Sequence, residues 1–527
     1  MNPSRRREFL ADVGRGMLIA SLGRALACDL GLAPARADEE PGVLSFGKLE
    51  SLVARLQETP LDKLLPLLVE QLRNGTELRE LAAAAALANA RTFGGEHYQG
   101  FHTFMALAPA CHMARELPEA RRPLPVLKVL YRNTHLIQEA GGRRGEKLHP
   151  VQPADLPQAA ARGELLREAN RRGDMERSER IFAALAHGPA ETAFDDLLLR
   201  VEDRGDVHTT VLVWRAWETL DLTGMEHAHT LLRQSVRHCI TEPAGLASAR
   251  LVPGLLDRYR LVGRSLGTRA AEDAWVDRMS ETVLASRPER AIDAVAAALA
   301  EGIAPEHVGE AISLAANQLV LRQVENWEGG YYGRRVHGDS QGVHASDAVN
   351  AWRNIARVSN GRNRAAGLIL AAAHVAEGHR WSEDRRYRGH EKRPFPLPEH
   401  LERVKPVDPD ALLRELEGAI RENDQFHASA VVQRYGELGH PPRPVFDLLL
   451  GFAISEDGRL HGEKYYRTVT EEFATTRPAF RWRQLTALAR VTASGFGYSS
   501  DDRRGDKDGH RAPGYEEACR LIEVRSL

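Results

Sequence analysis

Apolar residues recur every three or four positions along almost the whole chain, and this spacing limits the fold more than any other feature. Residues 61–90 show the pattern clearly. Their spacing predicts two amphipathic helices, which Asn74 and Gly75 separate. Alternating patterns, which mark half-buried strands, are rare. Proline at a first turn, as at Pro305, and glycine after a helix end, as at Gly302, recur as boundaries. We therefore predict an all-α protein, either a multi-helical bundle or an irregular array of antiparallel helix pairs.

Two interruptions in the helical pattern suggest where the chain divides. Residues 141–157 are rich in Gly, Arg and Pro, and residues 380–409 are charged and rich in Pro. The second stretch is the better candidate, because domain boundaries fall in polar, Pro-rich linkers. We predict a signal peptide at 1–37, a main helical domain at 38–385, a charged connector at 386–409, and a C-terminal helical segment at 410–527 that packs on the main domain.

The N-terminus matches a twin-arginine export signal. Arg6 and Arg7 precede the residues EFL, and a short, mildly apolar stretch follows until Arg24 interrupts it. That stretch is too short to anchor the chain in a bilayer. Residues 35–37 read ARA, the small-x-small form of a cleavage site, so the mature chain is expected to begin at Asp38. The pattern predicts a periplasmic or otherwise exported protein.

Two alternatives stay open for this segment. An ordinary amphipathic N-terminal helix could contain the same residues, and a lipoprotein would carry its lipid on Cys28, although ALA before that cysteine is a poor lipoprotein signal. No later segment has the roughly 18 uncharged apolar residues that suggest a membrane span, so none is expected after signal cleavage. Twin-arginine export carries folded proteins, often with a cofactor already bound, which favours a metal or redox protein.

Composition excludes several classes of function. The 527 residues carry 71 Lys and Arg against 73 Asp and Glu. These charges are interspersed without a basic block, so nucleic-acid binding is not expected. The scattered cysteines Cys111, Cys239 and Cys519 that follow the signal do not make a disulfide framework, although one bridge stays open. The chain has no haem-attachment CxxCH, P-loop, HExxH or dinucleotide-binding GxGxxG motif.

Histidine is the residue type that carries the functional hypothesis, with 21 copies in the chain. Several stand singly on apolar or small-residue faces of separate helices, and a helical bundle can bring such residues together in its core. His344 shares a face with Asp347, so the pair could bind one metal, or the carboxylate could orient the ring. A carboxylate that complements the helix dipole beside a solvated histidine is an equal alternative. His337, across the GDSQG loop, is expected to be a loop residue.

His374 lies on the face of the next helix with Gly367 and Gly378, which are small enough to let another backbone approach closely. We predict that His374 is buried at a helix–helix contact; a core histidine bonded to a backbone carbonyl is the plain alternative. A short turn joins the two helices, so they should be antiparallel neighbours, with His344 and His374 at the ends that meet. His344 is expected within side-chain reach of at least two of His102, His208, His374 and His461.

The segments around these histidines carry a family resemblance. They read FHTFMALAPACH, VHTTVLVWRAWETL, GVHASDAVNAW, AAHVAEG and EDGRLHGEKYY. Together they resemble a poorly characterised group of bacterial all-α proteins that is remotely similar to the questin oxidase family. The resemblance puts His102, His208, His344, His374 and His461 at recurrent histidine positions and implies an oxidase or oxygenase. Some relatives carry a Rieske-type iron–sulfur domain, whose motifs this chain lacks, so electrons would come from a partner or the substrate.

Two hypotheses from different classes follow. In the first, the five histidines converge on a first-row transition metal, with iron or copper favoured, and Asp347 is a further ligand or orients one. The protein is then a periplasmic metal-dependent oxidoreductase with an unknown small-molecule substrate or an electron-transfer partner. In the second, the chain is a non-catalytic helical binding or scaffold protein whose histidines are packing and surface residues. A metal-free enzyme is a third, lesser alternative.

The export signal leads to a first testable prediction. The double variant Arg6→Lys/Arg7→Lys should stay in the cytoplasm as precursor, because the export pathway recognises the arginine pair. Cell fractionation measures this, and N-terminal sequencing of the exported wild-type chain should begin at Asp38. The variant Arg55→Lys, outside the signal, is the control and should be exported normally. Normal export of the double variant would contradict the prediction.

Overall fold

The computed structural model describes residues 26, 29–30, 42–157, 161–241, 245–326, 340–383, 388–390, 393–497 and 514–526. The arginine pair, the predicted cleavage site at 35–37, Cys28 and His337 lie outside these residues. Within them, Cys111, Cys239 and Cys519 are buried and none forms a disulfide. No helix in the described ranges is both long enough and apolar enough to cross a membrane.

Helices make up nearly all of the described chain, which confirms the predicted all-α class. The α-helices are Glu50–Glu58, Leu61–Arg73, Leu78–Phe93, Tyr98–Glu116, Pro123–Glu139, Arg162–Arg171, Met175–Leu185, Ala190–Arg204, Val207–Glu218, Leu220–Thr223, Ala228–Thr241, Val252–Arg258, Asp273–Ala285, Pro288–Ala300, Pro305–Arg322, Gln341–Val358, Gly361–Glu383, Pro398–Leu401, Pro409–Arg421, Gln425–Glu437, Arg443–Ile454, Arg459–Thr475, Arg481–Gly495 and Tyr515–Leu521. Short 3-10 helices are Gly47–Leu49, Glu119–Arg121, Gly142–Gly145, Met225–His227, Ala249–Leu251 and Glu456–Gly458. The strands Gln323–Asn326 and Arg388–His390 pair antiparallel.

Local sequence explains where many of these helices begin and end. The carboxylates of Asp174, Asp408 and Asp424 each accept a hydrogen bond from the backbone N–H three residues later, so they satisfy donors that the first helical turn leaves open. At the other end of a helix, Gly94 follows Leu78–Phe93 with a φ of 55°, a left-handed conformation that glycine adopts without strain.

The described chain divides into two compact units, each assembled from separate stretches. The first unit contains Met1–Cys111, Leu130–Val201 and Arg215–Pro243, and the second contains His112–Val129, Glu202–Trp214 and Ala244–Leu527. The predicted boundary at 386–409 does not separate the units, because residues 244–527 belong to one of them. The C-terminal helices therefore share a unit with the helices that carry His344 and His374.

Residues 393–409, the part of the predicted connector whose side chains the structure describes, belong to the second unit, and apolar residues explain why. Phe395 and Leu397 are only 6% and 7% exposed. The backbone N–H of Phe395 donates to Gln318 Oε1 at 3.4 Å, and the Arg490 guanidinium lies 5.0 Å from the centre of the Phe395 ring. Proline and charge suggested a linker, but burial of these apolar side chains ties the segment to the unit.

Three helices of the second unit carry the predicted site residues His344, His374 and His461. We name them the His344 helix (Gln341–Val358), the His374 helix (Gly361–Glu383) and the His461 helix (Arg459–Thr475). The His344 helix packs against both of the others and against Pro305–Arg322. A fourth helix, Val207–Glu218, enters the same unit through its first residues and is named the His208 helix.

The His344 and His374 helices run antiparallel after a two-residue connection, as the sequence predicted. A Cβ atom built on Gly367, near the start of the second helix, would lie 2.8 Å from the ring of Trp352, near the end of the first. A Cβ atom built on Gly378 would lie 3.7 Å from the carbonyl oxygen of Gln341. The small residues that flank His374 thus mark the place where the two helices approach closely.

This close approach gives a prediction about stability. Gly367→Ala should lower the free energy of unfolding by about 1–3 kcal/mol, because the added methyl group would overlap the buried Trp352 ring. Gly418→Ala is the matched control: Gly418 also lies within a helix, but a Cβ atom there has no neighbour within 4 Å. The control should raise stability by up to about 1 kcal/mol. Urea unfolding measures both, and a neutral Gly367→Ala would contradict the packing argument.

Candidate functional site

Three histidines come together at the starts of three helices in the second unit. The ring centres of His208 and His344 are 5.7 Å apart, with the ring planes at 70°. Those of His344 and His461 are 6.1 Å apart, with the planes at 80°. His344 therefore contacts both of the other rings, and each of the three lies in the first turn of its helix. We call these residues the histidine cluster.

Helix caps fix the positions of two members of the cluster. Asp206 caps the His208 helix, since its Oδ1 accepts from the backbone N–H of His208 at 2.9 Å and its Oδ2 accepts from that of Thr209 at 3.1 Å. Ser340 caps the His344 helix through a 3.2 Å bond from the backbone N–H of Val343 to its Oγ. His344 thus lies in the first turn of its helix.

Asp206 also controls the charge at the site. Its Oδ1 lies 3.6 Å from Nδ1 of His208. Burial alone would raise the pKa of Asp206, but the hydrogen bonds from His208 and Thr209, together with the charge of His208, outweigh burial and hold that pKa well below its usual value. Asp206 is therefore an anion at any physiological pH.

A pocket of about 640 Å³ opens beside the cluster in the same unit. Its lining includes Asp206, Ser248, His344, His374 and Glu377. His344 and His374 both line this pocket, as expected for the facing ends of two antiparallel helices. Its size is within the range of sites that hold small molecules.

His374 is the buried polar group of this pocket. It is 6% exposed, and its Nε2 has no hydrogen-bond partner among the described residues. Burial lowers the pKa of His374 to about 4, and the negative charge of Asp206 opposes that shift only in part. The ring is therefore neutral near pH 7. A neutral imidazole with an unpaired nitrogen can accept a proton, accept a hydrogen bond or bind a metal.

A smaller cavity has His461 in its lining. It measures about 50 Å³ and is lined by His461, Tyr465 and Asp457, among others. Burial, together with the charge of Asp347, raises the pKa of Tyr465 far above its usual value. Tyr465 is consequently a neutral phenol that can donate a hydrogen bond at any physiological pH.

Asp347 takes part in helix packing, which explains the polar face that it shares with Asn350 and Asn354. Thr468 Oγ1 donates to Asp347 Oδ1 at 2.8 Å, Asn350 Nδ2 donates to Glu472 Oε1 at 3.0 Å, and Asn354 Nδ2 donates to Glu471 Oε2 at 2.9 Å. These three bonds tie the His344 helix to the His461 helix. The sequence predicted Asp347 as a metal ligand or orienting group, and the structure places it in this interhelical network.

His102 lies in the first compact unit, apart from the unit that contains the other four histidines. It is buried, and its Nδ1 donates to the backbone oxygen of Tyr98 at 2.7 Å. Its ring stacks on Phe101, with the ring centres 4.8 Å apart. These are the contacts of a core histidine that is hydrogen-bonded to a backbone carbonyl.

The histidine spacings can be compared with what one metal ion requires. With bonds of about 2 Å and tetrahedral angles, two imidazoles on one ion have ring centres roughly 5 Å apart. The ring centres of the pairs His208–His344 and His344–His461, at 5.7 and 6.1 Å, are somewhat farther apart than this. Among the described residues, no group of three or more His, Cys, Asp or Glu side chains is arranged to hold an ion. The residues thus offer pairs of donors, without a complete ligand set.

Sequence reasoning missed two carboxylates of the pocket. Asp206 is not among the sequence-predicted site residues, although its charge acts on His374. Glu377, one turn after His374, accepts from the backbone N–H of Ser248 at 2.9 Å. Two signals were available: the Asp-Val-His order at the start of a very apolar helix for Asp206, and the i, i+3 spacing from His374 for Glu377.

The positive ends of three helices converge at the histidine cluster. Each helix start is equivalent to about half a positive charge and stabilises a nearby anion by roughly 0.3–1 kcal/mol. An anionic group on a ligand would therefore be favoured beside the cluster.

No protein-family model, curated protein or solved structure matches the chain. The similarity to the questin oxidase family consequently stays a prediction.

The low pKa of His374 predicts how stability depends on pH. Between pH 6.5 and about 4 the unfolded chain binds a proton at this residue and the folded chain does not. The free energy of unfolding should therefore fall as the pH falls through this window, by about 3 kcal/mol in total. In the variant His374→Gln this pH-dependent fall in the free energy of unfolding should be absent. Urea titrations of chelator-treated protein at several pH values measure it; identical pH dependence in both proteins would contradict the assignment.

Proposed function

We propose that the pocket beside the histidine cluster is the active site of a metal-dependent oxidoreductase. In this proposal His208, His344, His374 and His461 provide the candidate ligands for a first-row metal ion, iron or copper before others. The pocket holds a small-molecule substrate. The reaction class rests on the resemblance to the questin oxidase family and on the predicted export route.

The observation that carries the proposal is the unpaired Nε2 of the buried His374 ring. A buried polar atom without a partner costs about 1–3 kcal/mol, and native structures hold few of them without a functional reason. This nitrogen belongs to a neutral imidazole that lines a pocket large enough for a ligand. A bound ion or substrate would supply the partner that the described chain does not.

The residues around His374 suit this chemistry. Neutral imidazoles are common ligands of iron, copper and zinc, and small side-chain movements would bring the ring of His344 and that of His208 or His461 to the spacing of two ligands on one ion. Asp206 can orient His208 through its ring nitrogen and balance part of an ion's charge. The converging helix starts would stabilise an anionic group on the substrate. A bound metal would supply redox chemistry or polarise a substrate oxygen.

Metal analysis of the native protein tests the proposal. The chain, exported through its own signal and purified without chelator, should contain close to one iron or copper ion per chain. His344→Ala and His374→Ala should each reduce the metal content by roughly tenfold or more at fixed total metal, because each removes a ligand or the contact that orients one. His187→Ala is the matched control, since His187 is an exposed histidine of the first unit.

Circular dichroism of each variant separates loss of metal from loss of fold. Protein with no first-row metal above background, from both the native compartment and reconstitution, would contradict the metal-dependent function. A non-catalytic helical binding or scaffold protein would then be the better description. Equal metal content in His344→Ala, His374→Ala and wild type would contradict the location of the site.

A further inference from the structure

A piece of the predicted signal segment is buried in the first compact unit. Asp29 and Leu30 are 6% and 0% exposed, and the backbone N–H of Val151 donates to the carbonyl oxygen of Asp29 at 3.2 Å. The backbone N–H of Leu30 donates to the carbonyl oxygen of Leu26 at 2.9 Å. Residues of a segment that is expected to be removed thus pack as part of a core.

The side chain of Asp29 accepts hydrogen bonds from two buried side chains, as the carboxylate of a bound ligand would. Its Oδ2 accepts from Thr230 Oγ1 at 2.9 Å and from Nδ1 of His229. His229 and Thr230 are 2% and 1% exposed, and Phe182 stacks on the His229 ring with the centres 5.6 Å apart. The donors are therefore held in place by the surrounding core, and they converge on one carboxylate oxygen.

The electrostatics of this place also favour an anion. Burial would raise the pKa of Asp29, but the charge of His229, its hydrogen bond and the charge of Arg233 outweigh burial and lower that pKa. Arg233 itself donates to Glu179 at 2.6 Å, so it acts on Asp29 through its field while its own hydrogen bonds are made elsewhere. The unit thus compensates a buried negative charge that the predicted signal segment supplies.

Removal of Asp29 would leave this arrangement without its anion. The predicted cleavage after residue 37 would take Asp29 and Leu30 away and leave a cavity lined by His229 and Thr230. Buried donors without an acceptor are costly, about 1–3 kcal/mol each. Another acceptor with a shape and charge similar to those of the Asp29 carboxylate would therefore be favoured in this cavity.

We propose that His229 and Thr230, with the field of Arg233, form a binding site for a small carboxylate that Asp29 occupies in the full-length chain. The site is separate from the histidine cluster, and it becomes open to external carboxylates when Asp29 is absent. The ligand class is a monocarboxylate, such as acetate or the acidic side chain of a peptide, because the donors converge on one carboxylate group.

Rescue of a full-length variant by acetate tests the site. Asp29→Ala keeps the whole chain but removes the carboxylate, so it should have a lower Tm than wild type. Sodium acetate should raise the Tm of this variant by about 2 °C relative to sodium chloride at equal ionic strength, with saturation. If Asp29→Ala does not fold alone, the yield of folded protein recovered from urea in acetate and in chloride gives the same comparison.

Three further variants make the result specific. Asp29→Asn fills the site and should show no response to acetate, and Asp29→Ala/His229→Ala should lose the response because a donor is gone. Asp62→Ala removes an exposed aspartate of the same unit and should behave like wild type. An equal acetate effect on all proteins, or none on Asp29→Ala in either Tm or folding yield, would overturn the proposed site.

Discussion

A buried polar network between the His344 helix and the His461 helix fixes the geometry on which the second unit depends. Glu472 lies at its centre: it accepts from Asn350 at 3.0 Å and from Ser313 at 2.6 Å, and it forms an ion pair with Arg353. Such a network costs stability when it is only partly satisfied, so it selects one register between the helices. A slide of one turn would separate Glu472 from all three partners and move His344 away from His461.

This network shows why the sequence predicted the elements better than the contacts between them. The spacing of apolar residues depends only on the helix period, so the helical class and the antiparallel pair around His374 could be predicted from it. Asp347 and Thr468 are 121 positions apart, and nothing in the local pattern of either residue specifies the other. The predicted role of Asp347 rested on its nearness to His344 in the sequence, whereas its hydrogen bond crosses to another helix.

The overall composition of a segment also predicted its packing less well than its few apolar residues did. Residues 386–409 look like a linker because proline and charge dominate them, yet burial of Phe395 against Arg490 ties the segment to its unit. His102 shows the opposite case, where a motif-like position turned out to have an ordinary backbone partner in Tyr98. The contact between Phe395 and Arg490 depends on how helices pack, so the sequence could not identify it in advance, whereas Tyr98 lies one turn before His102 in the same helix.

The interleaving of the two units has a consequence for the order in which the protein can form. Residues 202–214, which bring His208 and Asp206 to the second unit, are synthesised long before the His461 helix that their site requires. Contacts between such distant stretches must overcome loop-closure entropy, and they form late in folding. The residues that line the pocket beside His374 lie between Asp206 and Arg380, so a nascent chain that ends before the His374 helix lacks part of that lining. A ligand of the pocket can therefore stabilise the chain only after the His374 helix has been synthesised.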